Sequence, residues 1–316
     1  MIKCGVIGLG YMGEHHTRIL SKLPNVSLTG VSDINEKRGK EIAKKYKCKF
    51  FLDYRELIRE TDCLIIATPT LTHKELATMA LKEGKHVFLE KPISFSLKEA
   101  EEIIKVAKRL NLILQVGHIE RFNPALIAGE EFIKEPLFVE AYRLSPFPGR
   151  GIDVSVVLDL MIHDIDILIK KVKSPIRKIS AIGIPVLTNE IDFANARIEF
   201  KNGVIANLTA SRVSSSKVRK ILFWQKDSYV SIDTLNKKAE IFYKRKKEGK
   251  VELEKKELKV QEEDPLFLQM KAFIEACRGE RPLSILPEEA EEALIIAHKI
   301  SEKIQESLRK IKIYQN

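Results

Sequence analysis

The beginning of the chain constrains the fold more than any other part. A short apolar run leads directly into Gly8, Gly10 and Gly13, spaced as GxGxxG, and a helical pattern follows. The first glycine permits a tight turn, the second lets the backbone approach a phosphate, and the third allows close helix packing. The free N–H groups at the start of such a helix favour an anion. The motif predicts a Rossmann-type domain whose glycine turn, with Tyr11 and Met12, holds a dinucleotide.

A carboxylate stands where a dinucleotide coenzyme needs one. The second apolar run, residues 26–31, leads to Asp33, where a carboxylate accepts hydrogen bonds from the adenosine ribose hydroxyls. Asp33 would repel a 2′-phosphate, so NAD is the expected coenzyme. Arg38 lies nearby and keeps NADP open as the less favoured alternative.

Size and charge exclude some function classes. The 316 residues suffice for two domains, and no run approaches the roughly 18 apolar residues of a membrane span, so a cytoplasmic protein without a membrane partner is expected. Residues 1–120 hold 20 basic and 15 acidic side chains, and the remainder holds 34 and 29. Each part therefore carries the same net +5, which is not a basic patch, and no nucleic-acid partner is expected.

The cysteines give no sign of a metal site. Cys4, Cys48, Cys63 and Cys277 form no CxxC pair and no zinc spacing. Cys4 and Cys63 lie inside apolar runs, where a thiol behaves as a small hydrophobic group. All four are expected to be structural and reduced, and no metal is expected.

The rhythm of the sequence divides the chain into two parts. Strand and helix patterns alternate through residues 1–120 and predict a doubly wound parallel sheet. From about residue 136 a single helix, 154–171, is followed by successive β-rich runs, which indicate an antiparallel sheet, and by two closing helices, 264–278 and 287–310. The predicted fold is α/β, with a Rossmann domain over 1–120 and a second α/β domain over 121–316. The second domain is expected to contain a mainly antiparallel open sheet and the C-terminal helices.

Two groups of polar residues are candidates for chemistry. Lys91 follows the predicted strand 86–89 and precedes Pro92, which places a restricted lysine at the crevice where the coenzyme is expected. Asp159, His163 and Asp166 are spaced i, i+4 and i+7 on the helix 154–171, so they share one face. This face fits a carboxylate that orients a catalytic histidine, a satisfied polar surface, or part of a metal site.

Several motifs together resemble one enzyme family. Gly8 to Gly13, Asp33, Thr68-Pro69 with His73, Glu90-Lys91-Pro92 and the helix 159–166, in this order, resemble the Gfo/Idh/MocA oxidoreductases. The resemblance implies that Lys91, Asp159 and His163 match the family's catalytic residues, with His163 as general base. It also implies a homo-oligomer, dimer or tetramer, formed through the C-terminal sheet. The expected coenzyme-binding residues are Gly8, Gly10, Tyr11, Met12, Gly13, Asp33, Arg38, Thr68, Pro69, His73, Glu90 and Lys91.

Two further stretches, 116–124 and 143–150, resemble the branch that contains UDP-N-acetylglucosamine 3-dehydrogenases. The implied reaction is NAD-dependent oxidation of a sugar hydroxyl, at C3 of a UDP-sugar. The alternatives are a dehydrogenase of another sugar, sugar acid or inositol, and a non-catalytic NAD-binding sensor. Guanidinium groups bind phosphate with two donors, so arginines suit such a substrate. The candidate substrate-binding residues are Arg121, Asn123, Arg143, Arg150, Arg212 and Lys217.

Overall fold

The computed structural model describes residues 1–147, 154–247 and 250–310. The chain divides into two compact units, of which the first holds 1–119 and 264–292, and the second holds 120–263 and the chain from 293. The segment 264–292 was expected in the second domain, and this expectation is wrong. Helix α8 (Pro265–Cys277) packs on α1 (Tyr11–Leu20). Leu266, Met270 and Phe273 of α8 thereby join the apolar core of the first unit.

The first unit is built around a six-stranded parallel sheet, which confirms the predicted doubly wound fold. The strand order is β3-β2-β1-β4-β5-β6, so the order reverses between β1 and β4. Ligands of such sheets bind at this reversal, outside the carboxyl ends of the strands. The strands are β1 (Ile2–Ile7), β2 (Val26–Ser32), β3 (Lys49–Phe51), β4 (Cys63–Ile66), β5 (His86–Leu89) and β6 (Leu114–Val116), and the remaining helices are α2 (Glu36–Tyr46), α3 (Tyr54–Glu60), α4 (His73–Lys82) and α5 (Leu97–Arg109).

Local sequence signals set the limits of these elements. Every residue of β4 is buried, as expected for a central parallel strand covered by helices on both faces. Asn35 and Asp53 cap α2 and α3 by accepting backbone N–H bonds with their side chains. Ser96 and Glu99 form a reciprocal capping box at the start of α5.

The second unit contains an eight-stranded, mostly antiparallel sheet in the order β14-β13-β12-β11-β7-β10-β9-β8. One of its central strands, β7, was not anticipated from the sequence. It pairs parallel with β10 and antiparallel with β11. The strands are β7 (Pro136–Leu144), β8 (Ile176–Ile184), β9 (Phe193–Phe200), β10 (Ile205–Ser211), β11 (Val218–Gln225), β12 (Ser228–Asp233), β13 (Lys238–Lys247) and β14 (Lys250–Glu257).

Helices cover one face of this sheet. The helices are α6 (Pro124–Glu130), α7 (Ile162–Val172) and α9 (Pro287–Leu308). Residues of all three, α9 from Ala293 on, join the apolar core that the inward side chains of the strands form. Side chains on the other face remain partly accessible, among them Trp224, which is 38% exposed. No helix within the described ranges is long and apolar enough to cross a membrane.

Candidate active site

The glycine turn has the geometry of a phosphate-binding loop. Gly8 adopts φ +87°, and a Cβ there would lie 2.7 Å from the carbonyl oxygen of Ala67. A Cβ on Gly13 would lie 1.8 Å from the Gly8 carbonyl oxygen, so only glycine lets α1 pack against the turn. A Cβ on Gly10 would meet open space, which leaves the backbone accessible to a ligand. Gly10 is the N-cap of α1 and has no side chain, so the first-turn N–H groups face an incoming anion.

Asp33 is fixed by the same loop. Its Oδ2 accepts a hydrogen bond from the Leu9 N–H at 2.6 Å, and its Oδ1 accepts one from the Asn35 N–H at 2.7 Å. Arg38 is drawn into contacts with carboxylates, because its guanidinium forms ion pairs with Glu14 and Glu41. The loop therefore fixes the Asp33 carboxylate, while the positive charge of Arg38 is balanced by carboxylates of its own.

A cavity of about 710 Å³ opens beside this loop. Nine of the predicted coenzyme-binding residues line it, namely Gly8, Gly10, Tyr11, Met12, Asp33, Thr68, Pro69, Glu90 and Lys91. The exposed side chains of Ile34 and Leu52 also line it and were missed from the sequence. Exposed apolar side chains beside a polar ribose site suit the flat faces of an adenine ring. The size and lining of the cavity fit a dinucleotide.

His73 supports the crevice without lining the cavity. It is buried, and its ring nitrogens lie 3.0 Å from the carbonyl oxygens of Pro92 and Thr68. The ring thus ties together the two loops that follow β4 and β5. Burial lowers the pKa of His73, whereas the contacts with the two carbonyl oxygens act in the opposite direction. We expected His73 to bind the coenzyme, but its position assigns it to holding the loops.

Glu90 is held by a histidine that the sequence analysis missed. The Nε2 of His16, a fully buried residue of α1, lies 2.7 Å from Glu90 Oε1, and Glu90 Oε2 accepts the Lys91 backbone N–H at 3.2 Å. Burial alone would raise the pKa of Glu90, but His16 and Lys91 hold it below its usual value. Glu90 is therefore a carboxylate at neutral pH. His16 follows Gly13 by three residues, a spacing that places both on the sheet-facing side of α1.

Asp159 and His163 lie where the helix of the second unit departs from α geometry. Residues Val157–Met161 form a π-helical turn that contains Asp159, and His163 lies in the first turn of α7. Single π turns occur frequently at functional sites. Both side chains are half-buried, whereas Asp166, predicted to share their face, is fully buried in an ion pair with Arg121.

Arg143 does not fit the phosphate-binding role expected for it. Its Nε and Nη2 donate to the two oxygens of Asp164 at 3.0 and 2.8 Å, and its Nη1 donates to Glu120 at 2.8 Å. The Arg143 side chain is only 3% exposed. Burial alone would lower the pKa of Arg143, but the two carboxylates raise it. Because these contacts occupy all three nitrogens of the guanidinium, Arg143 is a structural centre of a buried ionic cluster.

Three other predicted substrate residues are also structural. Arg121 binds Asp166 with two hydrogen bonds of 2.7 and 2.6 Å. Arg212 is buried and donates to Asp192 at 2.7 Å. Asn123 caps α6 and donates to the Thr234 carbonyl at 3.1 Å. All three side chains are buried and form these bonds inside the second unit, which argues against the predicted contact with substrate.

The other basic candidates differ from these. Lys217 is exposed directly before β11, and Arg150 lies outside the described residues. Arg219, which was not predicted, has a side chain that is 36% exposed and touches Glu120 at 3.4 Å. Burial and the nearby Arg143 lower the pKa of Arg219, while Glu120, Asp164 and Asp159 oppose this. Arg219 is thus an accessible guanidinium in the electrostatic environment of Asp159.

The coenzyme cavity agrees with a family match. A model described as an oxidoreductase family with an NAD-binding Rossmann fold matches residues 2–118. The described residues hold no group of three or more His, Cys, Asp or Glu side chains arranged for a metal ion.

Relatives of known function cover most of the chain. UDP-N-acetylglucosamine 3-dehydrogenase from Acidithiobacillus ferrooxidans is 35% identical over 77% of this chain and 77% of its own. The scyllo-inositol 2-dehydrogenase (NAD(+)) of Bacillus subtilis is 31% identical over 67% of this chain and 68% of its own. A solved structure of the Acidithiobacillus enzyme superposes with a TM-score of 0.90 at 31% identity, covering 96% of this chain and 97% of that one.

Proposed function

The chain belongs to the Gfo/Idh/MocA family of oxidoreductases, and we propose that it oxidises the C3 hydroxyl of UDP-N-acetylglucosamine to a ketone, with NAD as hydride acceptor. The similarity to an enzyme of that name over 77% of both chains carries the choice of substrate. The identity to inositol dehydrogenases is lower and covers less of the chain, so inositol oxidation is the second candidate.

NAD is the proposed coenzyme because of the charge at the ribose end of the cavity. A 2′-phosphate would meet the Asp33 carboxylate, which two backbone N–H groups hold in place. Arg38 offers little compensation, since Glu14 and Glu41 bind its guanidinium. When bound, the nicotinamide accepts the hydride, and the residues of the chain supply binding, orientation and proton transfer.

Three residues share the chemistry in this proposal. His163 takes the proton from the sugar hydroxyl as general base, which a histidine can do near neutral pH. Asp159 favours the protonated imidazole that results. Lys91, in the wall of the coenzyme cavity, donates a hydrogen bond to the reacting oxygen and stabilises its developing negative charge.

The Glu90 carboxylate positions Lys91. It accepts the Lys91 backbone N–H and is itself fixed by the buried His16. A Cβ on Gly117 would lie 3.0 Å from Glu90 Oε2, so the end of β6 also closes around this carboxylate. The bond to Glu90 thereby fixes the Lys91 backbone, which limits the directions that the side chain and its ammonium group can take.

Arg219 replaces Arg143 as the proposed phosphate ligand. Its guanidinium is partly exposed and lies in the electrostatic environment of Asp159, whereas the guanidinium of Arg143 is buried and paired with carboxylates. Arg219→Ala should raise KM for the UDP-sugar about tenfold with little change in kcat, because phosphate contacts are similar in the ground and transition states. Arg197→Ala, an exposed arginine of β9, is the matched control. A lowered kcat with unchanged KM would contradict the assignment.

A substrate panel tests the proposal. NADH fluorescence is followed with UDP-N-acetylglucosamine, UDP-glucose, free N-acetylglucosamine and myo-inositol, and Lys91→Ala provides the background rate. We expect kcat/KM for UDP-N-acetylglucosamine to exceed that for the free sugar by about 100-fold or more, because the diphosphate adds charge-assisted hydrogen bonds. Equal turnover of myo-inositol would favour the second candidate.

We also infer that two copies associate through the open face of the sheet. Phe138, Trp224, Tyr229 and Phe242 are successive register partners across β7, β11, β12 and β13, so they share one face. The rings of Tyr229 and Phe242 stack at 4.4 Å. Trp224 is exposed and the other three are half-buried, and a partly accessible aromatic row of this kind is typical of protein interfaces. Sedimentation of Trp224→Glu tests this inference, and an unchanged mass would contradict it.

A further inference from the structure

Three of the four cysteines meet at one place in the first unit. Cys4 on β1 and Cys63 on β4 are direct register partners in the parallel ladder, and their sulfur atoms are 3.0 Å apart. A disulfide bond is about 2.05 Å long, so the sulfurs need to approach by about 1 Å to bond. The neighbour of Cys63 on its other side is His86 of β5.

The third thiol connects this pair to solvent. Cys277, the last residue of α8, packs against the apolar cluster that contains Cys4 and Cys63. It is half-buried and lines a surface depression of about 460 Å³ together with Asp62 and His86. Hydrogen bonding with Cys277 raises the pKa of Cys63, as does burial, and Cys63 and burial likewise raise that of Cys4. Both sulfur-bearing side chains are fully buried, so an oxidant in solution meets Cys277 first.

We propose that Cys277, Cys63 and Cys4 form an oxidisable thiol site, in which a peroxide oxidises Cys277 and Cys63 captures it as an intramolecular disulfide. The Cys277 thiolate attacks one oxygen of hydrogen peroxide, the O–O bond breaks, and a sulfenic acid and water form. The Cys63 sulfur then displaces the sulfenic hydroxyl, which leaves as water with the Cys63 proton. Two thiols are oxidised and one peroxide is reduced to two waters. Attack of Cys4 on Cys63 can then move the bond inward and release the Cys277 thiol without further oxidant.

The bond would have a clear structural consequence. Cys277 lies in the segment 264–292, which returns to the first unit after the chain has built most of the second. A Cys63–Cys277 bond pins this late segment to the central strand β4 across a loop of about 214 residues, and cross-links over long loops restrict the unfolded chain most. The site lies near the amino ends of the strands, whereas the glycine turn follows the carboxyl end of β1. Oxidation should therefore change stability and leave NAD binding unchanged.

The test uses the full chain, reduced and then exposed to stoichiometric hydrogen peroxide. We expect two of the four thiols to disappear per chain and peptide mapping to find a disulfide that contains Cys63. The thermal midpoint should rise by about 5 °C or more on oxidation, with an unchanged Kd for NAD. Retention of all four thiols, or a bond between chains, would overturn the proposal.

Variants locate the point of entry. Cys277→Ser should slow the loss of thiols about tenfold or more, because the remaining pair is buried. Cys48→Ser is the matched control, since Cys48 is also half-buried, and it should oxidise at the wild-type rate. Oxidation of Cys277→Ser at the wild-type rate would overturn the role of Cys277. Should that variant fold poorly, alkylation of the native protein by N-ethylmaleimide tests the same point. Cys277 should react before Cys4 and Cys63, and an earlier reaction of either buried thiol would overturn the role of Cys277.

Discussion

Replacing Arg143 separates a structural role from a substrate-binding role. Arg143→Met keeps much of the side-chain volume but removes hydrogen bonds of 2.8, 2.8 and 3.0 Å to Asp164 and Glu120. Their side chains are only 3% and 6% exposed, so the variant leaves Asp164 buried without its cation and Glu120 with only the longer 3.4 Å contact to Arg219. Breaking a buried ion pair in this way costs about 3–5 kcal/mol. At about 2–4 °C per kcal/mol, the midpoint should fall by about 6–20 °C.

Thermal and urea unfolding of the whole protein measure this effect. Arg177→Met is the matched control, because Arg177 pairs with Glu199 on the surface and its side chain is 68% exposed. Such surface pairs contribute about 0–1 kcal/mol, so the control should unfold close to wild type.

The pH dependence of the Arg143→Met deficit gives a second readout. Without the guanidinium, burial raises the pKa of both carboxylates in the folded state, so the folded protein binds more protons than the unfolded chain as the pH falls. The deficit should therefore shrink as the pH falls from neutrality toward about 4, the ordinary pKa of a carboxylate in the unfolded chain. If Arg143→Met kept wild-type stability but raised KM for the UDP-sugar, Arg143 would bind substrate and the structural assignment would be wrong.

Three further predictions concern the coenzyme, the chemistry and acid stability. Asp33→Ala should reduce the preference for NAD over NADP about tenfold in direct titrations, and equal affinities in the wild type would rule out the role of Asp33. Lys91→Ala and His163→Ala should each lower kcat about 100-fold or more while NAD still binds. Retained turnover in either variant would contradict the catalytic role proposed for that residue. Burial would raise the pKa of Asp192, but N–H groups of the loop 186–188 hold it well below its usual value. The stability that Asp192 contributes is thus present above its unfolded pKa of about 3.9 and is lost as the pH falls further. In urea unfolding, Asp192→Asn should therefore be less stable than wild type by a constant amount near neutral pH, and this difference should narrow below about pH 4. A constant deficit down to pH 2 would contradict this.

The cavity of the first unit was predictable because its signals are local. Gly8, Gly10, Gly13 and Asp33 act through backbone conformation and strand position, which nearby sequence specifies. The parallel sheet follows from the alternation of strand and helix patterns, and the cavity brings together nine residues predicted for it. His16 was missed because its partner, Glu90, lies 74 residues away.

The second unit was harder to predict because its polar residues find distant partners. Strand β7 alternates between buried and accessible side chains, but the charged Arg143 occupies an inward position. The alternation of apolar and polar residues that indicates a strand is therefore interrupted in the sequence. Only Asp164 on α7 and Glu120 make that position tolerable. The placement of α8 also depends on tertiary packing, because its partner α1 lies near the other end of the chain.

Hydride transfer from C3 is the central claim, and isotope transfer tests it most directly. UDP-N-acetylglucosamine carrying deuterium at C3 is incubated with NAD and the enzyme, and the coenzyme and sugar products are weighed by mass spectrometry. Oxidation at C3 predicts NADH one mass unit heavier and a 3-keto sugar that has lost the label. Unlabelled NADH formed beside a sugar that retains its deuterium would show that another position is oxidised and would contradict the proposal.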